Sequence, residues 1–259
     1  MADDEYLHNL LYQVQSGEMS PDEALHEIQG LEIGMVTGIA HLDLGRMTRC
    51  GIPEVVLAEG KDTVHLIAIV TEYMCRTGRC IITRVSAENA SALTDVCKNN
   101  NFVCLWNADA KTMVMTDGIT PEQTGGIVGI ITAGTSDIRV AEEAKVIAEE
   151  MGCIVRSAYD VGAAGIHRLV PVLRTMQDCH IFVVAAGREG TLPAVIAGIV
   201  NRPVIGVPVS TGYGYMGQGR AALASMLQSC SVLVVVNIDA GFVAGAFAAR
   251  VASMVAGHE

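Results

Sequence analysis

The fold is decided by Ala185-Ala-Gly-Arg-Glu-Gly-Thr-Leu-Pro193 and by Arg202-Pro-Val-Ile-Gly-Val-Pro-Val-Ser-Thr-Gly-Tyr-Gly214, which follows shortly after it. The residues just before the first stretch, Ile181-Phe-Val-Val, predict a buried parallel strand, because a short β-branched run is closed by Ala-Ala-Gly. Val204–Val207 predicts a second strand, which ends in Pro208. Parallel strands end at the same edge of a sheet, so the two strand ends should border a crevice.

The loops that leave these strands are suited to bind an anion. Gly187 and Gly190 bracket Arg188 and Glu189 at the point where the first strand gives way to a helix. The first backbone N–H groups of a helix have no partner within it and can bind an anion. The loop after the second strand adds Ser210, Thr211, Gly212 and Gly214.

Length, composition and charge limit the class of protein. A chain of 259 residues can bury a sizeable core, in one large α/β domain or two smaller ones. Hydrophobic residues make up 51% of the chain and aromatic residues only 4%, a mixture typical of parallel strands covered by close-packed helices. The net charge of −11 argues against nucleic acid or an anionic membrane surface as a partner.

The cysteines and the apolar tail indicate a cytoplasmic protein. The eight cysteines form no C-x-x-C pair, and most lie in apolar segments, which is typical of buried thiols in a reducing compartment. The amino terminus, Met1-Ala-Asp-Asp-Glu, is acidic where a signal peptide is basic. Asn237, Asp239 and Arg250 interrupt the apolar tail, which favours a core strand and a buried helix over a membrane span.

Two domains are expected, an amino-terminal α/β domain over residues 1–120 and a larger one over residues 121–259. Turn formers concentrate in Asp117-Gly-Ile-Thr-Pro-Glu-Gln-Thr-Gly-Gly126, which we interpret as the linker. In the first domain, Ser20-Pro-Asp-Glu predicts a capped helix start. Its predicted elements are two helices within residues 1–30, further helices at Thr63–Arg76 and Ala87–Asn99, and strands at Val55–Leu57, Cys80–Arg84, Phe102–Trp106 and, as an edge strand, Thr112–Met115.

The second domain alternates regularly between strands and helices. This alternation predicts the α/β class, with a three-layer, doubly wound parallel sheet. The predicted strands are Ile127–Thr132, Cys153–Ser157, His180–Val184, Val204–Val207 and Val232–Val236. The predicted helices are Ser136–Met151, Ala163–Met176, Thr191–Val200, Gln218–Leu227 and Gly241–Ala256. The last helix carries too few charges for a solvent-exposed element, so we expect it to be buried in the core or at a subunit contact.

Four groups of residues could carry chemistry, and each has a plainer explanation. The segment Ala133-Gly-Thr-Ser-Asp137 offers a glycine, two hydroxyl groups and a carboxylate. It could bind a phosphate, or it could only cap the following helix. His167 and Arg168 could bind substrate or form a packing and surface pair. Glu189 could be a helix cap or a general base. Cys230 precedes the last strand, whose polar end Asn237-Ile-Asp239 places it near the presumed crevice, and it could be a nucleophile or a structural thiol.

The motifs resemble those of a known enzyme family. The Gly-rich strand-end loop, the Leu-Pro that opens the next helix and the Pro-Val-Ile-Gly-Val-Pro strand recur in the PurE-like carboxylases that act on aminoimidazole ribonucleotide. Their Ser-Ala-His-Arg motif, with a histidine central to proton transfer, is replaced here by Ser157-Ala-Tyr-Asp. The chain is more similar to the LarB-type carboxylase/hydrolase of nickel-pincer nucleotide biosynthesis, in Asp160-Val-Gly-Ala-Ala-Gly-Ile-His-Arg168, in Gly-x-Glu-Gly190 and in Leu227-x-Ser-Cys230 followed by Val-Asn-Ile-Asp239.

The amino-terminal domain shares in this resemblance, and two positions depart from it. Arg46-x-x-Arg-x-Gly-x-Pro-Glu-Val-Val56 followed by Glu-Gly-Lys61 is similar to the first segment of the LarB-type family, although a solvated loop explains the same charges. Arg188 stands where an apolar residue is expected, and Ala240 where the family has Asn. Both departures concern contacts to the substrate.

The resemblance implies a reaction and a set of site residues. Cys230 would add to the pyridinium ring of nicotinic acid adenine dinucleotide, the ring would capture CO2 or bicarbonate-derived CO2, and hydrolysis of the phosphoanhydride would release AMP. Glu189 would serve the proton or water step. Substrate binding is implied for Gly134, Thr135, Ser136, Asp137, Asp160, His167, Arg168, Gly187, Arg188, Gly190, Ser210, Thr211, Gly212, Gly214 and Asp239.

The resemblance also implies a homo-oligomer, an octamer in the PurE-like carboxylases, and no organic cofactor. No metal-ligand cluster is visible in the sequence, but a Mg2+ ion held by phosphates and one carboxylate would leave no motif. Two other functions remain open. One is a carboxylase or mutase acting on aminoimidazole ribonucleotide, and the other is a nucleotide-binding regulator without catalysis.

Overall fold

The computed structural model describes residues 2–36, 38–212 and 214–257. Contacts divide the chain into two compact units. The first comprises the residues up to Leu105 together with Met113–Ile119, and the second comprises Trp106–Thr112 and the residues from Thr120 onward. The domain limits expected from the sequence, 1–120 and 121–259, stay a prediction.

The first unit is an α/β structure with a four-stranded sheet and a separate two-stranded hairpin. Its helices are α1 (Ala2–Ser16), α2 (Pro21–Gly30), α3 (Arg46–Cys50), α4 (Thr63–Thr77) and α5 (Ala87–Asn100). Its strands are β1 (Ile33–Val36), β2 (Ala40–Asp43), β3 (Val55–Leu57), β4 (Arg79–Thr83), β5 (Val103–Asn107) and β6 (Thr112–Thr116). The predicted capping box is confirmed at α2, where Ser20 and Glu23 each accept a hydrogen bond from the other's backbone N–H.

The prediction that Thr112–Met115 forms an edge strand is wrong. The strand order is β3-β4-β6-β5, so β6 lies inside the sheet and β3 and β5 form its edges. All five residues of β6 are buried, as expected for a strand inside the sheet. The sequence also failed to indicate the β1–β2 hairpin, because each of its strands has only four residues, too few for a clear alternation.

The second unit contains a five-stranded parallel sheet. Its strands are β7 (Ile127–Thr132), β8 (Ile154–Ala158), β9 (Ile181–Ala186), β10 (Val204–Pro208) and β11 (Val234–Val235). Its α-helices are α6 (Ile138–Glu150), α7 (Leu169–Thr175), α8 (Thr191–Ala197), α9 (Arg220–Leu227) and α10 (Gly241–Ala256), and 3-10 turns occupy Thr135–Asp137 and Ala163–Arg168.

The strand order β8-β7-β9-β10-β11 is that of a doubly wound, flavodoxin-like sheet, which confirms the predicted fold class. All neighbouring pairs are parallel. Helices α6 and α10 pack together over one face, and α8 packs against α9 and β10. The chain leaves β7 in one direction to β8 and later returns to β9 on the other side of β7. Their carboxyl ends therefore form the topological switch point, where ligands bind in such sheets.

Two predicted elements are shorter than expected. The last strand has only two residues, Val234–Val235, instead of the five at Val232–Val236. The helix expected at Ala163–Met176 begins as a 3-10 turn, because Gly165 has a non-helical backbone (φ −122°, ψ 52°), and becomes α-helical only at Leu169.

The carboxyl-terminal helix α10 is buried on one side only. Its small residues Ala244, Ala248 and Ala252 are fully buried, and a Cβ at Gly245 would lie 2.4 Å from the carbonyl oxygen of Ala144 in α6. Glycine is needed there because the two helices approach closely. The opposite side exposes Val243, Phe247 and Met254. The predicted burial in the core is confirmed for the inner side, and a subunit contact at the outer side stays a prediction.

Among the described residues, none of the helices combines the length and the apolar character that crossing a bilayer would require.

Candidate active site

A pocket of about 400 Å³ lies at the switch point, beyond the carboxyl ends of β7 and β9. Four loops border it: the turn after β7, the segment 162–164 that follows β8, the turn after β9 and the loop after β10. The residues that line it are Ala133, Gly134, Ser136, Asp137, Gly162, Ala163, Ala164, Ala186, Gly187, Arg188, Glu189, Thr191, Leu192 and Thr211.

Asp137 ties three of the strand-end loops together. One oxygen of its carboxylate, Oδ2, accepts a hydrogen bond from the Gly134 N–H at 2.9 Å. The other, Oδ1, accepts from the Gly187 N–H at 3.1 Å and from the Thr211 hydroxyl at 3.5 Å. Only 4% of Asp137 is exposed. Because both carboxylate oxygens already accept hydrogen bonds, Asp137 stabilises the loops that form the pocket. Direct binding of substrate by this carboxylate stays a prediction.

Burial raises the pKa of Asp137 above its ordinary value, because desolvation disfavours the charged form. The hydrogen bonds from Gly134, Gly187 and Thr211 act in the opposite direction, and the nearby charge of Asp239 raises the pKa further. The group at the base of the pocket is therefore a carboxyl in a poorly solvated position.

The turn after β7 presents small and polar groups to the pocket. Gly134 has an extended backbone (φ −135°, ψ 172°), and a Cβ placed on it would meet only the Asp137 carboxylate, at 3.8 Å. Ser136 is exposed and lines the pocket, whereas Thr135 is exposed and does not. The predicted phosphate-binding loop is thus at the pocket, with an open space above Gly134.

Glu189 lines the pocket with a carboxylate that is available to contact a ligand. Its side chain is exposed, and no hydrogen bond or ion pair holds it within the part of the chain that the structure describes. The preceding residue, Arg188, has a left-handed backbone (φ 50°), and Gly190 has φ 67°. A Cβ at Gly190 would lie 2.7 Å from the Cα of Ala222, so glycine is required there to aim the turn.

A second polar cluster lies beside the pocket, at the ends of β10 and β11. Asp239 accepts hydrogen bonds from the Ser210 N–H at 2.9 Å and from the Ser210 hydroxyl at 2.5 Å. Arg139, in the first turn of α6, forms an ion pair with Asp239 at 3.4 Å. Sequence reasoning missed Arg139. The signal in the sequence was a cation in the first turn of a predicted helix. Such a cation is repelled by the positive end of the helix dipole, which indicates a nearby carboxylate as its partner.

The remaining loop residues have separate positions. A Cβ at Gly212 would lie 3.1 Å from the backbone nitrogen of Arg188, so this loop runs directly against the turn after β9. Gly214 has φ 97° and lies farther along the same loop, outside the lining of the pocket.

The segment after β8 differs from the expectation based on its residues. Asp160 and Arg168 form an exposed ion pair at 3.1 Å, and neither they nor His167 line the pocket. Tyr159 donates its hydroxyl hydrogen bond to the carboxylate of Glu142 on α6. Burial, and after it this contact, raise the pKa of Tyr159, so the phenol stays neutral at physiological pH. The residue at the position of the purine carboxylases' histidine therefore contacts a helix.

Cys230 does not lie at the crevice, contrary to the position expected from the sequence. It is exposed and precedes β11, whereas the pocket lies beyond the carboxyl ends of the parallel strands. The expectation relied on Asn237–Asp239, which do follow β11 on the side of the pocket. Cys230 lies at the opposite end of that strand, because β11 separates Cys230 from Asn237–Asp239 in the chain.

Another pocket, of about 450 Å³, lies at the amino-terminal end of β9. Val170, Leu173, Phe182 and Ile199 contribute apolar surface, and the two cations at it, Arg174 and Arg202, are arginines that cannot accept a proton. Since it also lies at the edge where parallel sheets do not bind substrates, we assign the chemistry to the switch-point pocket.

No cluster of three or more His, Cys, Asp or Glu side chains suited to a metal ion is found among the described residues. Asp137 and Asp239 are both engaged with protein donors. Glu189 is the carboxylate at the pocket that could share a Mg2+ ion with bound phosphates.

Replacement of Gly134 by valine should block the pocket without harming the fold. The extended backbone accepts a β-branched residue, and only the bound ligand would compete for the space above it. We expect binding of nicotinic acid adenine dinucleotide, the substrate that the resemblance implies, to weaken by at least ~10-fold, about 1.4 kcal/mol, when measured by calorimetry. Gly134→Ala should have a smaller effect. Unchanged affinity in Gly134→Val would contradict the assignment.

Replacement of Asp137 by asparagine should destabilise the unit. The amide offers one acceptor oxygen where the carboxylate offers two, so one buried N–H group loses its partner. We expect a loss of about 1–3 kcal/mol in the free energy of unfolding at neutral pH, measured with urea.

The same pair of proteins tests the pKa of Asp137. Because its pKa is raised, the folded state binds this proton more tightly than the unfolded state does. The resulting stability is fully present below the unfolded pKa, about 3.9, and is lost as the pH rises through the folded pKa. The advantage of the wild type over Asp137→Asn should therefore grow on acidification toward pH 4, and an advantage that shrinks would contradict the raised pKa.

Two known protein families match the chain. Residues 35–117 match the family described as LarB/PurE-like N-terminal domain, and residues 127–258 match the family described as AIR carboxylase. An uncharacterized protein of Methanocaldococcus jannaschii is 41% identical over 255 residues, which cover 96% of this chain and 98% of that protein.

Two further relatives each match about half of the chain. A probable N5-carboxyaminoimidazole ribonucleotide mutase of Methanothermobacter thermautotrophicus is 31% identical over 130 residues, 48% of this chain and 37% of that protein. The N5-carboxyaminoimidazole ribonucleotide mutase of Methanocaldococcus jannaschii is 32% identical over 120 residues, 44% of this chain and 71% of that protein.

Proposed function

Because the chain belongs to the AIR carboxylase family, within the PurE-like superfamily, we propose that it is a carboxylase whose substrate is nicotinic acid adenine dinucleotide. The observation that carries the proposal is the exposed Glu189 carboxylate at a switch-point pocket whose other carboxylate, Asp137, is engaged by three hydrogen bonds. The pocket thus contains one carboxylate that can act as an acid or a base, together with exposed backbone and the hydroxyl groups of Ser136 and Thr211.

The pocket and the neighbouring loop suit the phosphates of a dinucleotide. Ser136 and Thr211 contribute hydroxyl groups, Gly134 leaves open space, and Arg188 contributes a cation at the rim. Hydroxyls, small residues and positive charge are the usual ligands of phosphate oxygens. A Mg2+ ion bound by these phosphates would supply further charge neutralisation.

The carboxylation proceeds through a covalent adduct. A cysteine thiolate, from Cys230 in our proposal, forms a C–S bond to the electrophilic pyridinium ring and thereby makes a neighbouring ring carbon nucleophilic, as in an enamine. That carbon forms the new C–C bond to CO2. A base then removes the hydrogen from the same carbon, and the electron pair restores the aromatic ring as the C–S bond breaks. No oxidant is required, because the thiolate returns unchanged.

Glu189 performs the proton step and the hydrolytic step. Its carboxylate can accept the ring proton, and after releasing this proton to solvent it can activate a water molecule for attack on the phosphoanhydride. Hydrolysis releases AMP and leaves the dicarboxylated mononucleotide. Both steps need a carboxylate that is exposed to the pocket and has no strong partner, as Glu189 is.

A mutase acting on N5-carboxyaminoimidazole ribonucleotide is the second candidate, since relatives with that name are 31% and 32% identical to this chain over 130 and 120 residues. Tyr159 weighs against it. This tyrosine occupies the position of the histidine that transfers the proton in the purine carboxylases, and its hydroxyl is bound to Glu142. The two functions differ in substrate, so turnover distinguishes them.

The test is to incubate the purified protein with each nucleotide and follow the products by chromatography. Nicotinic acid adenine dinucleotide with bicarbonate is expected to release AMP, and N5-carboxyaminoimidazole ribonucleotide is expected to remain unchanged. Conversion of the ribonucleotide without release of AMP would favour the mutase. Tight binding of a nucleotide with no turnover of either would favour a regulator.

A further inference from the structure

The pocket at the amino-terminal end of β9 has the dimensions of a small-molecule site. Its volume of about 450 Å³ falls within the range of ligand pockets. It lies between α7, the start of β9 and the segment 199–202 that precedes β10. Met176 and Phe182 are buried at its base, whereas Val170 is 48% exposed and Ile199 is 55% exposed. The pocket therefore presents apolar walls to solvent above a buried apolar base.

The charges at this pocket are positive and uncompensated. Arg174 and Arg202 line it and are exposed, and the lining includes no Asp or Glu among the described residues. Neither arginine forms an ion pair with a carboxylate in the described ranges of the chain. Asp178, which follows a lining residue, is engaged by Arg156 at 2.6 Å. Two uncompensated cations in a chain with a net charge of −11 favour the binding of an anion.

A structural explanation accounts for only one of the two arginines. Arg174 lies in the last turn of α7, where a cation is favourable because the carbonyl end of a helix is negative. Arg202 lies in the loop between α8 and β10, outside both elements. The helix dipole also gives no reason for the exposed apolar walls. A ligand that is anionic at one end and apolar at the other satisfies both features.

The polar groups at the rim suit a carboxylate or a phosphate. Guanidinium groups bind either anion through paired N–H···O hydrogen bonds. The side-chain amides of Gln177 and Asn201 also line the pocket and can donate further hydrogen bonds. An inorganic anion would leave the apolar walls exposed to water, so the favoured ligand also carries an apolar body.

This pocket is separate from the switch-point pocket. Phe182 is the second residue of β9, and Ala186, which lines the switch-point pocket, is the last. At about 3.3 Å per residue, ~13 Å separate the two residues along the strand. None of the described residues lines both pockets. A ligand bound at one pocket therefore leaves the other open.

We infer that the pocket at the amino-terminal end of β9 is a second ligand site, which binds a small amphipathic anion. The ligand is a carboxylate or a phosphate ester on an apolar body. The body packs between Val170 and Ile199, and the anionic group binds Arg174 and Arg202. This inference is independent of the proposed function, because it assigns no step of the carboxylation to this site.

Ligand-observed NMR titrations of the full-length protein test the chemistry of the ligand. The probes are phenylpropionate and phenyl phosphate. Phenylpropanol serves as the neutral analogue, and inorganic phosphate serves as the anion without an apolar body. We expect at least one of the two probes to bind with a Kd of ~1 mM or below, and both controls to bind at least ~10-fold more weakly. The tighter probe identifies the anionic group that the site prefers.

Substitutions test the location of the probe. Arg174→Gln and Arg202→Gln each remove a charge at an exposed position, and each should weaken binding of the tighter probe by at least ~5-fold. Arg250→Gln, which removes an exposed arginine of α10, is the matched control and should leave the affinity unchanged. Gly134→Val, which blocks the switch-point pocket, should also leave it unchanged. Circular dichroism checks that each variant is folded.

Several results would overturn the inference. One is the absence of saturable binding of either probe to the wild type, and another is equal binding of phenylpropanol or inorganic phosphate. Unchanged affinity in the double variant Arg174→Gln/Arg202→Gln would place the probe elsewhere. Loss of binding in Gly134→Val would place it in the switch-point pocket. A lower mass of the double variant than of the wild type in light scattering would show that a second copy of the chain covers this pocket.

Discussion

The Cys230→Ser variant should bind nicotinic acid adenine dinucleotide but incorporate CO2 at least ~10³-fold more slowly than the wild type. The reason is chemical: part of a cysteine population is thiolate near neutral pH, whereas a serine hydroxyl provides scarcely any alkoxide. Because Cys230 is exposed, the free energy of unfolding should change by no more than about 0.5 kcal/mol. Label transfer from bicarbonate and urea denaturation measure the two effects.

The covalent adduct offers an independent measurement. Mass spectrometry of the wild type after incubation with the dinucleotide should locate the added mass on the peptide that contains Cys230. Cys50→Ser, which removes another exposed thiol, serves as the matched control and should leave the adduct in place. An adduct only at another cysteine, or full carboxylation by Cys230→Ser, would refute this role. Loss of the fold in Cys230→Ser would make the thiol structural.

The Glu189→Gln variant should lose ~10²–10⁴-fold in turnover, the usual contribution of a positioned acid–base group. Glutamine keeps the size of the side chain but cannot accept the ring proton or activate water. Its stability should match the wild type, because Glu189 is exposed and has no hydrogen bond or ion pair to another described residue. Glu122→Gln, at another exposed carboxylate of the second unit, is the control and should retain full activity.

The two reactions of Glu189 can be separated in this variant. If the residue serves both, release of AMP and incorporation of CO2 should fall together. A variant that retains full carboxylation and loses only the release of AMP would restrict Glu189 to the hydrolysis. Unchanged rates of both would remove Glu189 from the mechanism.

The parallel sheet could be predicted from the sequence because its signals are local. β7 and α10 have the predicted bounds, Ile127–Thr132 and Gly241–Ala256, since largely apolar runs end there next to turn residues. The pocket was predictable in part for the same reason. Gly134, Gly187 and Glu189 each follow a strand, and the carboxyl ends of parallel strands share one edge.

What the sequence could not predict depends on pairing between distant segments. The central position of β6 depends on its partners β4 and β5, which periodicity does not identify. The three hydrogen bonds of Asp137 join residues up to 74 positions apart. The position of Cys230 was mistaken because a motif in the sequence does not state on which side of a strand each residue lies. The ion pair between Arg139 and Asp239 likewise joins two segments far apart in the chain.

The most direct test of the central claim is incubation of the wild-type protein with nicotinic acid adenine dinucleotide and 13C-labelled bicarbonate, followed by mass spectrometry and NMR of the nucleotide products. We predict one labelled carboxylate on the pyridinium ring of a mononucleotide, with one AMP released for each. Unlabelled nicotinate products, or label that appears only when an aminoimidazole ribonucleotide is supplied, would contradict the proposed function.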